Sequence, residues 1–186
     1  MTPLQFVLHE IASPLTAVVA GLDLLDGQND PELAFMIKDS TKRLQNCFRY
    51  MQGAFSFSIN NLDDIKALAE HYFTTLETHV MWDIPDGLEA HEGSRFLMAL
   101  LLIAQKSWSA QAINVSFAQG NFTINATENQ KTSQETTKFQ HLFRHIQKEA
   151  EKHFVKLEQP DKTKPIYLLG CSISSLQKNT FIRSIQ

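Results

Sequence analysis

Glycine is scarce in the carboxy-terminal half of this 186-residue chain, where Gly120 and Gly170 alone follow Gly93. No glycine-rich turn that would bring backbone amides against a phosphate can be assembled from them. Cysteine is scarcer: Cys47 and Cys171 lack metal-site spacing, and in a reducing compartment both read as buried thiols. Neither charge dominates, with 17 basic against 20 acidic residues and a net charge of −3, so nucleic acid and anionic membranes are not favoured ligands. The longest uncharged apolar runs, Ile11 to Leu22 and Phe96 to Gln105, fall short of the roughly 20 residues a span requires. The first residues reach His9 and Glu10 without the basic-then-apolar order of a signal peptide, which makes a cytoplasmic location the expectation.

What is present is 43% hydrophobic residues in helical and strand-like patterns, enough for a substantial core. In "LHEIASPLTAVVAGLDLL" the positions Leu8, Ile11, Leu15, Val18, Leu22 and Leu25 recur in threes and fours, which predicts a helix over 3–27. The segment "GQNDPE" supplies a glycine stop at Gly27, cap candidates Asn29 and Asp30, and Pro31 at a first-turn position. A second seam, Leu33, Ile37, Ser40, Leu44, Cys47 and Met51, predicts a helix over 32–56. An antiparallel hairpin of two helices cannot enclose a core alone, so the expectation is a homodimer whose hairpins form a four-helix bundle.

His9 lies off this seam. Its own face holds Ser13, Thr16 and Ala20, flanked by Ala12 and Ala17, all small enough to let another helix approach. This reads as a partner-docking surface. Pro14 lacks an amide hydrogen and crowds the carbonyl of Glu10, a distortion placed on the turn that carries His9.

The stretch "HEIASPLTA" resembles the phospho-accepting box of sensor histidine kinases, with His9, Glu10, Pro14 and Leu15 at the matching positions. The resemblance implies that His9 carries a phosphoryl group on a ring nitrogen and that Glu10 orients or deprotonates the imidazole. It covers about the first 56 residues.

The remainder, divided from the hairpin near residue 58, reads as helix (61–76, capped by Asn60 or Asn61), strand (79–85), buried helix (93–107), hairpin about Gln119 to Asn121, helix (134–153) and a late strand in "PIYLLGCSI". The expected fold class is therefore α+β: the hairpin over 1–58, then over 59–186 an α/β sandwich resembling the kinase ATP-binding domain. "FLMALLLIAQKS" is similar to that family's asparagine box at Ala104 and Lys106, but Ala99 and Ile103 stand where the box has asparagines. An isoleucine offers no oxygen to the magnesium that would bridge the nucleotide phosphates.

A phospho-accepting hairpin joined to such a degenerate domain resembles the dimeric histidine phosphotransferases of alphaproteobacterial phosphorelays, the type called ChpT. The resemblance implies transfer of phosphoryl groups between response-regulator receiver domains, with Mg2+ supplied by the receiver and without ATP. The competing class is a non-catalytic dimeric protein that sequesters a receiver or a kinase. His141 and His145, four residues apart, read as a solvated helix face rather than a metal site.

Overall fold

The computed structural model describes residues 2–25, 30–59, 61–85, 88, 92–127, 134–153, 155–159 and 166–171. It is mixed α+β, with five helices and a five-stranded sheet among the described residues. Gly27, Asn29 and Asn60 lie outside them, as does the side chain of Cys171.

Helices α1 (Pro3–Leu25) and α2 (Pro31–Ser56) pack along each other. Gly21 faces Ile37 and the Glu10 carbonyl faces Cys47, so one chain number rises as the other falls and the two helices run in opposite directions. α2 begins on Asp30, whose carboxylate accepts from the amides of Glu32 (2.9 Å) and Leu33 (3.3 Å), with Pro31 entering where a missing N–H costs nothing. The α2 seam faces inward from Leu33 to Met51 as its spacing predicts.

On α1 the seam is different. The residues turned inward are Val7, Ile11, Pro14, Val18, Gly21 and Leu25, while Leu8, Leu15 and Leu22 remain 60%, 46% and 53% exposed. Six apolar positions that read as one stripe are therefore two adjacent stripes, of which only the one through Ile11, Val18 and Leu25 meets α2. Gly21 marks the close approach: a Cβ there would sit 2.5 Å from Ile37 Cγ1. By length and composition α1 is also apolar enough to cross a membrane, which counting only uninterrupted runs does not reveal. Phe6, buried against Phe55 and Phe139, ties its first turns to the core.

α3 (Leu62–Thr74) starts on Asn61, whose side-chain oxygen accepts from Asp63 and Asp64 amides. A 3-10 turn (Glu92–Phe96) precedes α4 (Leu97–Trp108), where the sequence reads as one helix from Gly93. Gly93 and Ser94 are weak helix formers, and the regular helix begins only with the apolar run. Leu97 to Ala104 are buried on every side, making α4 the central helix of the core.

The sheet order is β1-β2-β3-β5-β4, with β1 (His79–Asp83) parallel to β2 (Ala112–Ala118) and the other pairings antiparallel. β3 (Asn121–Thr127) returns from β2 through a two-residue turn in which Gln119 (φ 52°) and Gly120 (φ 76°) both take positive φ, the geometry that matches strand twist. Ile113, Val115, Phe122, Ile124 and Ala126 point to the core, whereas Asn114 and Asn125 face outward. α5 (Gln134–Lys152) lays Leu142, Ile146 and Ala150 against this layer, as its spacing of four predicts. β4 (Val155–Glu158) is a short strand absent from the sequence reading, paired with β5 (Ile166–Cys171).

Candidate functional site

The site is assembled on the second and third turns of α1. His9 projects outward with its side chain 75% exposed, and Nδ1 lies 3.6 Å from Glu10 Oε1. That separation is electrostatic contact rather than a formed hydrogen bond. Ala12, Ser13, Thr16, Ala17 and Ala20 are likewise exposed, so the small face around the imidazole stands open. Thr16 turns its hydroxyl back onto the Ala12 carbonyl at 2.8 Å, which removes that polar group from the surface it would otherwise roughen.

Glu10 points the other way, into the junction of α1 with α2, α3 and α4. Its Oε2 accepts from Lys106 Nζ at 2.7 Å and from the Tyr72 hydroxyl at 3.4 Å. Both charged side chains are mostly buried, 13% exposed for Glu10 and 22% for Lys106, so water screens this pair less than it screens a surface pair. Burial, then the Glu10 charge, holds the Tyr72 phenol well above its ordinary range. Tyr72 stacks flat on Tyr50, with ring centroids 4.3 Å apart and an interplanar angle of 13°. Tyr50 in turn donates to the Met98 carbonyl at 2.8 Å, anchoring the stack to α4.

Pro14 leaves the carbonyl of Glu10 without its helical donor. α1 nevertheless continues unbroken through Pro14. The Cys47 thiol sits 3.9 Å from that carbonyl, within the longer reach of sulfur donors. Burial, then the Glu10 charge, pushes the Cys47 thiol up to about 11, with Lys106 acting in the opposite sense. It therefore stays protonated and able to donate.

The sequence sets His9 and Glu10 side by side but carries no sign that Lys106, Tyr72 or Cys47 belongs to this site. Lys106 carried only the echo of a kinase motif, and no periodic signal links residues so far apart in the chain. Ala99 and Ile103, at the asparagine positions of that motif, are 0% and 1% exposed and packed in the core. His141 and His145 are both exposed. Among the described residues there is no group of three or more histidine, cysteine or acidic side chains able to hold a metal ion.

No family model matches the chain, and no curated protein matches it. A solved structure of a bacterial phosphotransferase, at 1.7 Å resolution, is similar over 88% of this chain and 90% of its own length, with a TM-score of 0.66 and 17% identity. At that identity the likeness is one of fold, and the chain has a phosphotransferase-like fold.

Proposed function

We propose that the chain is a histidine phosphotransferase of a phosphorelay, of the ChpT type and resembling a degenerate sensor histidine kinase, which passes phosphoryl groups between receiver domains through His9. The observation that carries this reading is the exposed imidazole beside a fixed carboxylate on an open face of small residues. The imidazole attacks through a ring-nitrogen lone pair, and Nδ1 faces Glu10, which leaves Nε2 as the nucleophile. Nε2 forms the N–P bond as the acyl O–P bond of the receiver's phosphoaspartate breaks, and the aspartate carboxylate leaves with the electron pair. Nδ1 keeps its proton, and Glu10 offsets the positive charge left on the phosphorylated ring. The receiver supplies Mg2+ for the in-line transfer. A receiver helix docks on Ala12, Ser13, Thr16, Ala17 and Ala20.

The exposed stripe of Leu4, Leu8, Leu15, Val19 and Leu22 supports a homodimer, because it continues along one flank of α1 at heptad spacing. A second hairpin covering it completes a four-helix bundle over 1–58, with 59–186 as the degenerate kinase-like α/β domain. The buried, apolar Ala99 and Ile103 favour a relay without ATP over an autokinase.

Incubation with a phosphorylated receiver tests the reading. Acid-labile, base-stable label should appear on His9 and be absent from His9→Ala, whose dimer persists. Receiver binding with no label on His9 would favour simple sequestration.

A further inference from the structure

We infer that Lys106 on α4 and Tyr72 on α3 are positioning residues for His9, acting through Glu10. The inference deepens the phosphotransfer reading and rests on it for its consequence, but its geometry stands apart from any transfer assay. One Glu10 oxygen is taken by Lys106 Nζ at 2.7 Å and by the Tyr72 hydroxyl at 3.4 Å, which leaves the other oxygen, 3.6 Å from His9 Nδ1, as the face shown to the imidazole. The Cys47 thiol holds the backbone of the same residue at the carbonyl that Pro14 leaves open. Glu10 is thus gripped from α2, α3 and α4. His9, in contrast, has no partner other than Glu10 among the described residues.

The arrangement resolves a conflict in the chemistry. A free carboxylate beside an imidazole stabilises the imidazolium and so removes the lone pair that must attack phosphorus. A carboxylate whose charge is balanced by an ammonium does this less, yet still accepts the Nδ1 proton's hydrogen bond once the phosphorylated ring turns cationic. Lys106 supplies the balance, and its grip keeps Glu10 from closing the gap to His9 in the resting protein. The groups facing this pair are Cys47 from α2, Tyr72 from α3 and Lys106 from α4. Cys47 and Tyr72 are held neutral through the physiological range, so Lys106 is the charge that matters.

The test is the titration of the His9 ring followed by NMR in the full chain, for the wild type, Lys106→Met, Glu10→Gln and the double variant. Lys106→Met should raise the His9 midpoint by roughly one pH unit when Glu10 is present, and by clearly less in the Glu10→Gln background, because the carboxylate that swings onto the ring is gone. Lys106→Arg should stay near wild type. The rising limb of phosphoryl acceptance against pH should move with the midpoint in Lys106→Met. An unchanged midpoint, or equal shifts in both backgrounds, would overturn the inference. A shifted midpoint in a protein that takes no label from any phosphorylated receiver would leave the positioning intact and remove the function proposed for it.

Discussion

Leu15→Ala tests the proposed dimer at the exposed stripe of α1. Leu15 is 46% exposed in the single chain, so about half of the roughly 2 kcal/mol gained by burying a leucine side chain is still to be collected at an interface. A twofold symmetric contact uses the residue twice, and truncation should therefore weaken the dimer by about 2 kcal/mol, close to 30-fold in the dissociation constant. A concentration series in sedimentation velocity reads this directly. Leu24→Ala is the matched control: Leu24 is 65% exposed, but at 100° per residue it lies on the opposite flank of α1. It should leave the midpoint where it is. Equal weakening by both substitutions, or none by Leu15→Ala, would refute the assignment of the stripe to a partner hairpin.

Pro14→Ala restores a backbone donor to the Glu10 carbonyl. It should raise the urea midpoint by the equivalent of about 1–2 kcal/mol, less than the full interior-proline penalty because the unfolded chain also gains freedom, and it should slow phosphoryl acceptance by His9. Stability should fall as pH rises from about 9 towards 11, because the Cys47 thiol is harder to ionise folded than unfolded and the unfolded state gives up its proton first. Cys47→Ala should make that decline shallower without abolishing it, since Tyr50 and Tyr72 are shifted the same way. Tyr50→Phe removes the donor to the Met98 carbonyl and should cost about 1–2 kcal/mol in chemical denaturation. Ile103→Asn should not create ATP binding by calorimetry, because position 103 is buried; it should instead destabilise the chain by more than 2 kcal/mol.

The elements were legible where one local cause decides them. Asp30 and Pro31 start α2, Asn61 starts α3, and the Gln119–Gly120 turn sets β2 beside β3, each through chemistry confined to a few neighbouring residues. β4 was not legible, because four residues alternating as Val155, Lys156, Leu157 and Glu158 carry too little periodicity to separate a strand from the end of a helix. Its place follows from pairing with β5 and from α5 packing nearby, which are tertiary facts. The 3-10 turn before α4 is a similar case: the apolar run announces a buried helix, and only Gly93 and Ser94 hint at where its regular part starts.

α1 shows a deeper reason why the site was only half visible. A helix period reports which positions are apolar, not how many neighbours divide them, and α1 carries four different faces: Ile11 and Val18 towards α2, Phe6 and Glu10 towards α3 to α5, Leu8 and Leu15 outward, and His9 with its small neighbours outward again. Averaged over one turn, the first and third merge into a single seam. The second cannot be seen at all, because Glu10 reads as an ordinary solvated acid until Lys106 and Tyr72 arrive from distant parts of the chain. The same packing explains why Pro14 is tolerated. Its cost falls on a carbonyl that the Cys47 thiol reaches, so a local defect in the helix is met by a side chain from the neighbouring one. The residue chemistry of the exposed face is encoded locally, whereas the control of its carboxylate is encoded only in the fold.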